Sequence, residues 1–273
     1  QELKLHLCSV TTPLKILPLP KLKKLTLSHV MIGNLADLAY LLEEVHLEFI
    51  AISCDLSVLN RVRKLTMKGC EGIRDYRGLQ DNEEINFTVI DIERFDFTGC
   101  FGNSKRISIT CHHSVGIVDF SFYQKIESFS LIMEKGAKLT CPLLKENHLP
   151  PKTLKSFQIQ GESTLSDLKK GFEHLKTVHI ISCKNFNSVD GLGAVETVYL
   201  CLLPSLMTLT GLGKGNKEIH LQNLEVSDYK PICNVPRVSI FNCSEFVDSS
   251  QLDGVKYLDL CDCSLEDVST LSH

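Results

Sequence analysis

Twelve cysteines and ten histidines are the residues of this 273-residue chain best suited to metal, redox or acid–base chemistry. Their spacing argues against all three. The cysteines stand at 8, 54, 70, 100, 111, 141, 183, 201, 233, 243, 261 and 263, and no two form a CxxC pair. Cys261 and Cys263 are two apart, but no nearby His completes a zinc spacing. Free and mostly buried thiols in a reducing compartment are the expectation. His112 and His113 are adjacent and could form a switch or a weak metal site, yet nothing around them supplies a ligand set. GLGKGNK at 211–217 is glycine-rich and carries lysines, but it lacks the spacing of a phosphate loop. Asp228 and Asp248 have no positioned acid–base partner, and the chain contains no GxGxxG, HExxH or nucleophile elbow. The sequence therefore predicts no catalytic residue, no cofactor and no metal. Two glycosylation sequons, Asn86-Phe87-Thr88 and Asn242-Cys243-Ser244, would matter only in a secreted chain.

Composition narrows the partners. A formal net charge of -4 and the absence of Trp give no basic, aromatic footprint for nucleic acid. No run of about 18 apolar residues exists, so membrane insertion is not expected. The opening QELKLHLCSVTTPLKIL shows no basic segment leading into a long apolar stretch. An intracellular, cytoplasmic chain is the resulting expectation, and a monomeric one.

What the spacing does show is a repeat. VKYLDLCDCSLEDVSTL at 255–271 restates VPRVSIFNCSEFVDSSQL, which begins at 235. With Leu258 as position zero, apolar residues fall at -3, 0 and +2, and a small or apolar residue at +5. Working back, position zero falls on Val238, Ile219, Val198, Val178, Phe157, Phe129, Ile107, Ile85, Leu65, Val45, Leu25 and Leu5. The +2 partners run from Ile240 back to Leu7, and all are apolar. Steps of 19 to 22 residues persist over thirteen copies, with one exception of 28. Position +5 holds Val10, Val30, Ile50, Cys70, Ile90, Cys183, Leu203, Leu224, Cys243 and Cys263, but weakens at His112, Glu134 and Glu162. The long step contains Pro150 and Pro151, which block a ladder or a helix interior. Residues 107–157 thus read as an irregular or inserted region.

Alternation around zero and +2 makes a short strand with one buried face. Such a strand cannot bury that face alone, so the copies must stack into a parallel sheet with a continuous core. About fifteen residues remain for the return, within the range of short-return solenoid repeats and too few for a long helix. Short turns, extended segments and 3₁₀ pieces are expected on the outer side, helped by glycines in 188–197 and 208–218. The pattern LxxLxLxxC with a short return resembles the leucine-rich-repeat family, from Leu5 to Leu271. In that family the +5 residue is usually Asn or Cys, whose side chain bonds the backbone of the turn. Cys70, Cys183, Cys243 and Cys263 match it, while Val10, Val30 and Ile50 depart from it. The resemblance implies an α/β repeat solenoid, mostly β, curved, with its parallel sheet on the concave side, that binds protein partners. One domain over 1–273 is expected, of about thirteen repeats and truncated at one or both ends.

If zero and +2 point inward, then -1, +1 and +3 point out. In the second half these rows gather His179, Ile181, Tyr199, Cys201, His220, Gln222, Ser239 and Phe241, an aromatic and apolar cluster among hydrogen-bonding groups. That mixture suits a protein partner, and these eight are the candidate binding residues. Lys64, Lys68 and Arg106 form a secondary candidate patch, interrupted by Glu44, Glu48 and Glu84. The function expected is a non-catalytic scaffold that binds another protein. The alternative is a spacer segment of a larger multidomain protein. An enzyme would need titratable residues converging on a pocket, whereas the repeat sets them in rows.

Overall fold

The computed structural model describes residues 1–6, 20–30, 42–52, 55–73, 76–89, 99–112, 123–134, 150–161, 165–168, 172, 174–246 and 248–265. The chain gathers into two compact units, Gln1–Ala137 and Lys138–His273. Both are built from the predicted short strands. The first holds β1 (Glu2–His6), β2 (Lys24–Ser28), β3 (Glu44–Glu48), β4 (Lys64–Lys68), β5 (Glu84–Val89), β6 (Arg106–Cys111) and β7 (Ser128–Met133). The second holds β8 (Ser156–Gln160), β9 (Thr177–Ile181), β10 (Thr197–Cys201), β11 (Glu218–Gln222), β12 (Arg237–Phe241) and β13 (Tyr257–Cys261). Within each unit every strand pairs in parallel with the next in sequence. Among the described residues there is no α-helix, and the returns contain single 3₁₀ turns at Leu56–Leu59, Lys230–Ile232 and Ser249–Leu252. Each unit is thus a parallel β-solenoid with short returns, as the repeat length requires.

Burial follows the predicted alternation. Zero and +2 residues are buried in every described copy from β2 to β12, and position -3 completes the layer with Leu22, Leu42, Val62, Ile126, Leu154, Leu175, Val195 and Val235. One assignment needs correction. The sheet pairs Leu3 with Leu25 and Leu5 with Leu27, so position zero of the first copy is Leu3 and not Leu5. A shift of two residues keeps the same face inward, so alternation alone cannot separate Leu3, Leu5 and Leu7. The ladder decides: the Gln1 carbonyl accepts from the amides of Lys23 and Lys24, as the Lys23 carbonyl accepts from Glu43 and Glu44. Lys4 therefore belongs to row +1, His6 to row +3 and Glu2 to row -1. Leu7, Cys8 and Val10 lie outside the described residues, as do Ile90, Glu162 and His113.

Position +5 behaves as the resemblance implies. Cys70, Cys183, Cys243 and Cys263 each donate a thiol hydrogen bond to the +3 carbonyl of their own strand, at 3.4–3.6 Å. Burial pushes the Cys70 thiol up to about 11, so it stays protonated and able to donate. Val30, Ile50, Leu203 and Leu224 fill the same slot by packing. The two polar occupants of the irregular stretch meet each other, with His112 Nδ1 3.0 Å from Glu134 Oε2. The described part of the long step is orderly too, since the Pro151 carbonyl accepts from Leu154 N at 2.9 Å and from His174 Nε2 at 3.0 Å.

Position +4 was not singled out by the sequence, yet it turns the strand end in nine described copies, while in β5, β6 and β7 it stays in the ladder as Val89, Cys111 and Met133. His29, Phe49, Ser182, Leu202, Asn223, Asn242 and Asp262 all adopt φ between 49° and 56°, the left-handed region. Gly69 and Gly161 fill the same place in two other copies. The turn lets the +4 amide extend the ladder by one bond to the +3 carbonyl of the next strand, as from Leu202 to Gln222 at 3.0 Å.

In the first unit, rows -2 and -1 alternate in sign from copy to copy. Lys23-Lys24 faces Glu43-Glu44, then Arg63-Lys64, Glu83-Glu84 and Lys105-Arg106. Ion pairs join the doublets: Lys23–Glu43 at 2.9 Å, Lys24–Glu44 at 2.8 Å, Lys64–Glu84 at 3.5 Å, Lys105–Glu83 at 3.3 Å and Arg106–Glu84 at 3.0 Å. The neighbouring lysines hold the carboxyls of Glu43, Glu44 and Glu83 below the usual range. Single exposed pairs contribute little. Reversing one doublet, however, sets three like-charged copies side by side. Glu43→Lys with Glu44→Lys is expected to lower the melting temperature by several degrees in low salt, and by much less near 1 M salt, where the Debye length falls to about 3 Å. Thermal melts at both ionic strengths measure this, and an equal drop in the two would rule out an electrostatic origin.

Candidate interaction surface

The outward face of β9–β12 is laid down by register. Parallel in-register pairing puts the same row of successive copies about 4.8 Å apart. Where three adjacent copies carry flat rings in one row, the rings must meet. His179, Tyr199 and His220 are direct cross-strand partners in row +1. Their rings stack, His179 on Tyr199 at 4.1 Å and 22°, and Tyr199 on His220 at 4.1 Å and 0°. The tyrosine ring thus occupies the space between the two imidazoles. Ser239 continues the row on β12 and is buried. Row +3 runs alongside as Ile181, Cys201, Gln222 and Phe241, with Gln222 exposed and the other three half-buried.

All eight candidate residues therefore lie on one face of four consecutive strands. Two physical features of the region are not legible as a row of letters. First, Glu218 is shared: its Oε1 lies 3.1 Å from His220 Nε2 on its own strand and 3.5 Å from Arg237 Nη1 on β12. Second, the Arg237 guanidinium stands 5.3 Å from the ring centre of Tyr257, a large side chain left 63% exposed. Tyr257 was missed by the sequence reading. Its signal was an aromatic in row -1 beside an arginine in the same row. Burial, followed by the charge of His220, holds the His179 imidazole below its ordinary range.

The secondary patch looks different in space. Lys64 and Arg106 both approach Glu84, at 3.5 Å and 3.0 Å, so their charge is shared with a carboxylate. Lys68 is exposed in row +3, cross-strand from Glu48. His46 also has an acidic neighbour, Glu48 at 3.8 Å, and lies in row +1, whereas His6 lies in row +3. Among the described residues no group of three or more His, Cys, Asp or Glu is arranged to hold a metal, and no helix is long and apolar enough to cross a membrane.

No protein-family model and no curated protein matches the sequence. Solved structures do match. An internalin from Listeria monocytogenes aligns with a TM-score of 0.66 at 15% identity, over 93% of this chain and 78% of that one. A leucine-rich-repeat protein from Leptospira interrogans aligns with a TM-score of 0.50 at 14% identity, over 90% of this chain and 80% of that one. With identity so low, what is shared is the fold: the strand ladder, the buried rows and the short returns are those of the leucine-rich-repeat type of solenoid.

Proposed function

We propose that this chain is a non-catalytic interaction scaffold that binds another protein across the outward face of β9–β12. The observation that carries the reading is the ring stack of His179, Tyr199 and His220 beside the half-buried row of Ile181, Cys201 and Phe241. Solenoids of stacked repeats present extended surfaces of this kind to their partners. An aromatic anchor among apolar and hydrogen-bonding neighbours is the composition of a binding hot spot. The first unit supports a different role for itself. Its outward charges neutralise one another across strands, which suits a spacer segment. A reducing compartment fits this reading, because Cys183, Cys243 and Cys263 use their thiol protons in the turns and a disulfide would remove them.

The test is affinity capture with the whole chain as bait, beside the double variant Tyr199→Glu and Phe241→Glu. A partner held by the parent should be lost from the variant, and Tyr199→Ala alone should weaken it about 30-fold, corresponding to a hot spot of about 2 kcal/mol. A partner retained by a variant whose circular dichroism matches the parent would sink the assignment of this face.

A further inference from the structure

We infer that the ring stack makes this face proton-sensitive: a proton taken up by His220 draws Glu218 away from Arg237 and frees that guanidinium to receive a carboxylate of the bound partner. The inference rests on the binding role proposed for the face. It starts from an unsatisfied atom. His220 Nε2 is buried and makes no hydrogen bond, although Glu218 Oε1 stands only 3.1 Å away. A proton on that nitrogen, with a small turn of either side chain, converts the contact into a charge-assisted hydrogen bond. The resulting imidazolium also lies against the face of Tyr199, where a cation is attracted by the ring.

A charge gained by His220 competes with Arg237 for the same oxygen of Glu218. That Oε1 is also the partner of Arg237 Nη1, at the longer distance of 3.5 Å. Once His220 holds the carboxylate, Arg237 keeps only Tyr257, over whose ring it already lies. Among the described residues facing these side chains there is no other acid to compensate. On β10, Tyr199 and Thr197 face His220 and Glu218, and on β12 Ser239 faces His220. The next charged group along the row is Asp259 on β13, beyond Ser239. The second histidine does not blur the response. His179 is flanked by Gln158 on β8 and Tyr199 on β10, neither of them acidic, and burial, followed by the charge of His220, holds its imidazole below the ordinary range. One proton therefore changes the face, and it changes it at the Glu218–Arg237 end.

The experiment follows histidine and arginine side chains by NMR in the chain alone, from pH 7.5 to pH 5. The Arg237 Hε resonance should move in step with the His220 ring signals. In His220→Gln that movement should vanish, and in Glu218→Gln the Arg237 resonance should start at its low-pH position. An Arg237 resonance that stays still while His220 titrates, or moves equally in His220→Gln, would overturn the exchange. Affinity capture at pH 7.5 and pH 5.5 supplies the second arm, with several-fold more partner expected at the lower pH and no gain in Arg237→Gln. Loss of capture with the NMR response intact would remove the binding role and leave the proton exchange standing. Equal capture at both pH values would sever the exchange from binding and overturn the inference.

Discussion

Asn216→Leu is expected to destabilise the second unit by about 3 kcal/mol, although leucine or valine occupies the same position in most other copies. Asn216 stands at -3, in the apolar layer, and is buried. Its Nδ2 donates to the carbonyls of Leu192 at 2.9 Å and Val195 at 2.6 Å, both in the preceding copy. Its Oδ1 accepts from Gly213 N at 2.7 Å. One side chain thus serves three backbone groups; the Leu192 carbonyl also keeps the Val195 amide at 3.1 Å, and the other two cost about 1 kcal/mol or more each when left buried without a partner. The turn it serves has no slack. Gly213 has φ +91°, and a Cβ there would press into the Pro231 carbonyl oxygen. Asn82 is the control. It makes the same two donations, to Leu59 and Val62, but its Oδ1 has no partner. Asn82→Leu should therefore cost less. Urea denaturation of both variants measures the difference, and a neutral or stabilising Asn216→Leu would show that apolar burial outweighs the lost hydrogen bonds.

Phe157→Ala is expected to cost more, about 3–5 kcal/mol. Phe157 occupies position zero of β8, is fully buried, and meets Phe172 edge-on with ring centres 5.5 Å apart. Truncation removes the apolar burial of the ring and leaves a void in a stack where each copy covers the next. Total domain stability is only about 5–15 kcal/mol, so the variant should unfold at a markedly lower urea concentration. Phe246 is also fully buried, against Tyr229 at 4.6 Å, and its alanine variant serves as the comparison. A midpoint unchanged in Phe157→Ala would mean that β8 can detach without cost to the rest.

The strand positions were legible because position 0 and position +2 recur every 19 to 22 residues with one step of 28, and a half-buried strand has few other ways to be written. The outward rows then followed from alternation alone, which is why His179, Tyr199 and His220 could be named as neighbours. That their rings would stack face to face depends on rotamers and on strand twist, which letters do not carry. The buried asparagines were not legible: Asn82 and Asn216 look like breaks in the apolar pattern until the carbonyls they serve are in view. The left-handed residue at +4 was hidden for a related reason. Phe49 and Leu202 are not residues that favour such a backbone, and the ladder bond that holds them there is a contact between copies.

By itself, then, the sequence determined the repeat, the inward rows and the set of side chains offered outward. Those are consequences of a period, and a period is a local property of the chain. Only the tertiary structure decided the register of the first strand, where three leucines at two-residue spacing fit the inward face equally well and the Gln1 carbonyl made the choice. Only it paired His112 with Glu134 and set Glu218 between His220 and Arg237. His112–Glu134 and Glu218–Arg237 join residues about twenty positions apart, and all three distances depend on side-chain conformation, which no pattern along one copy encodes.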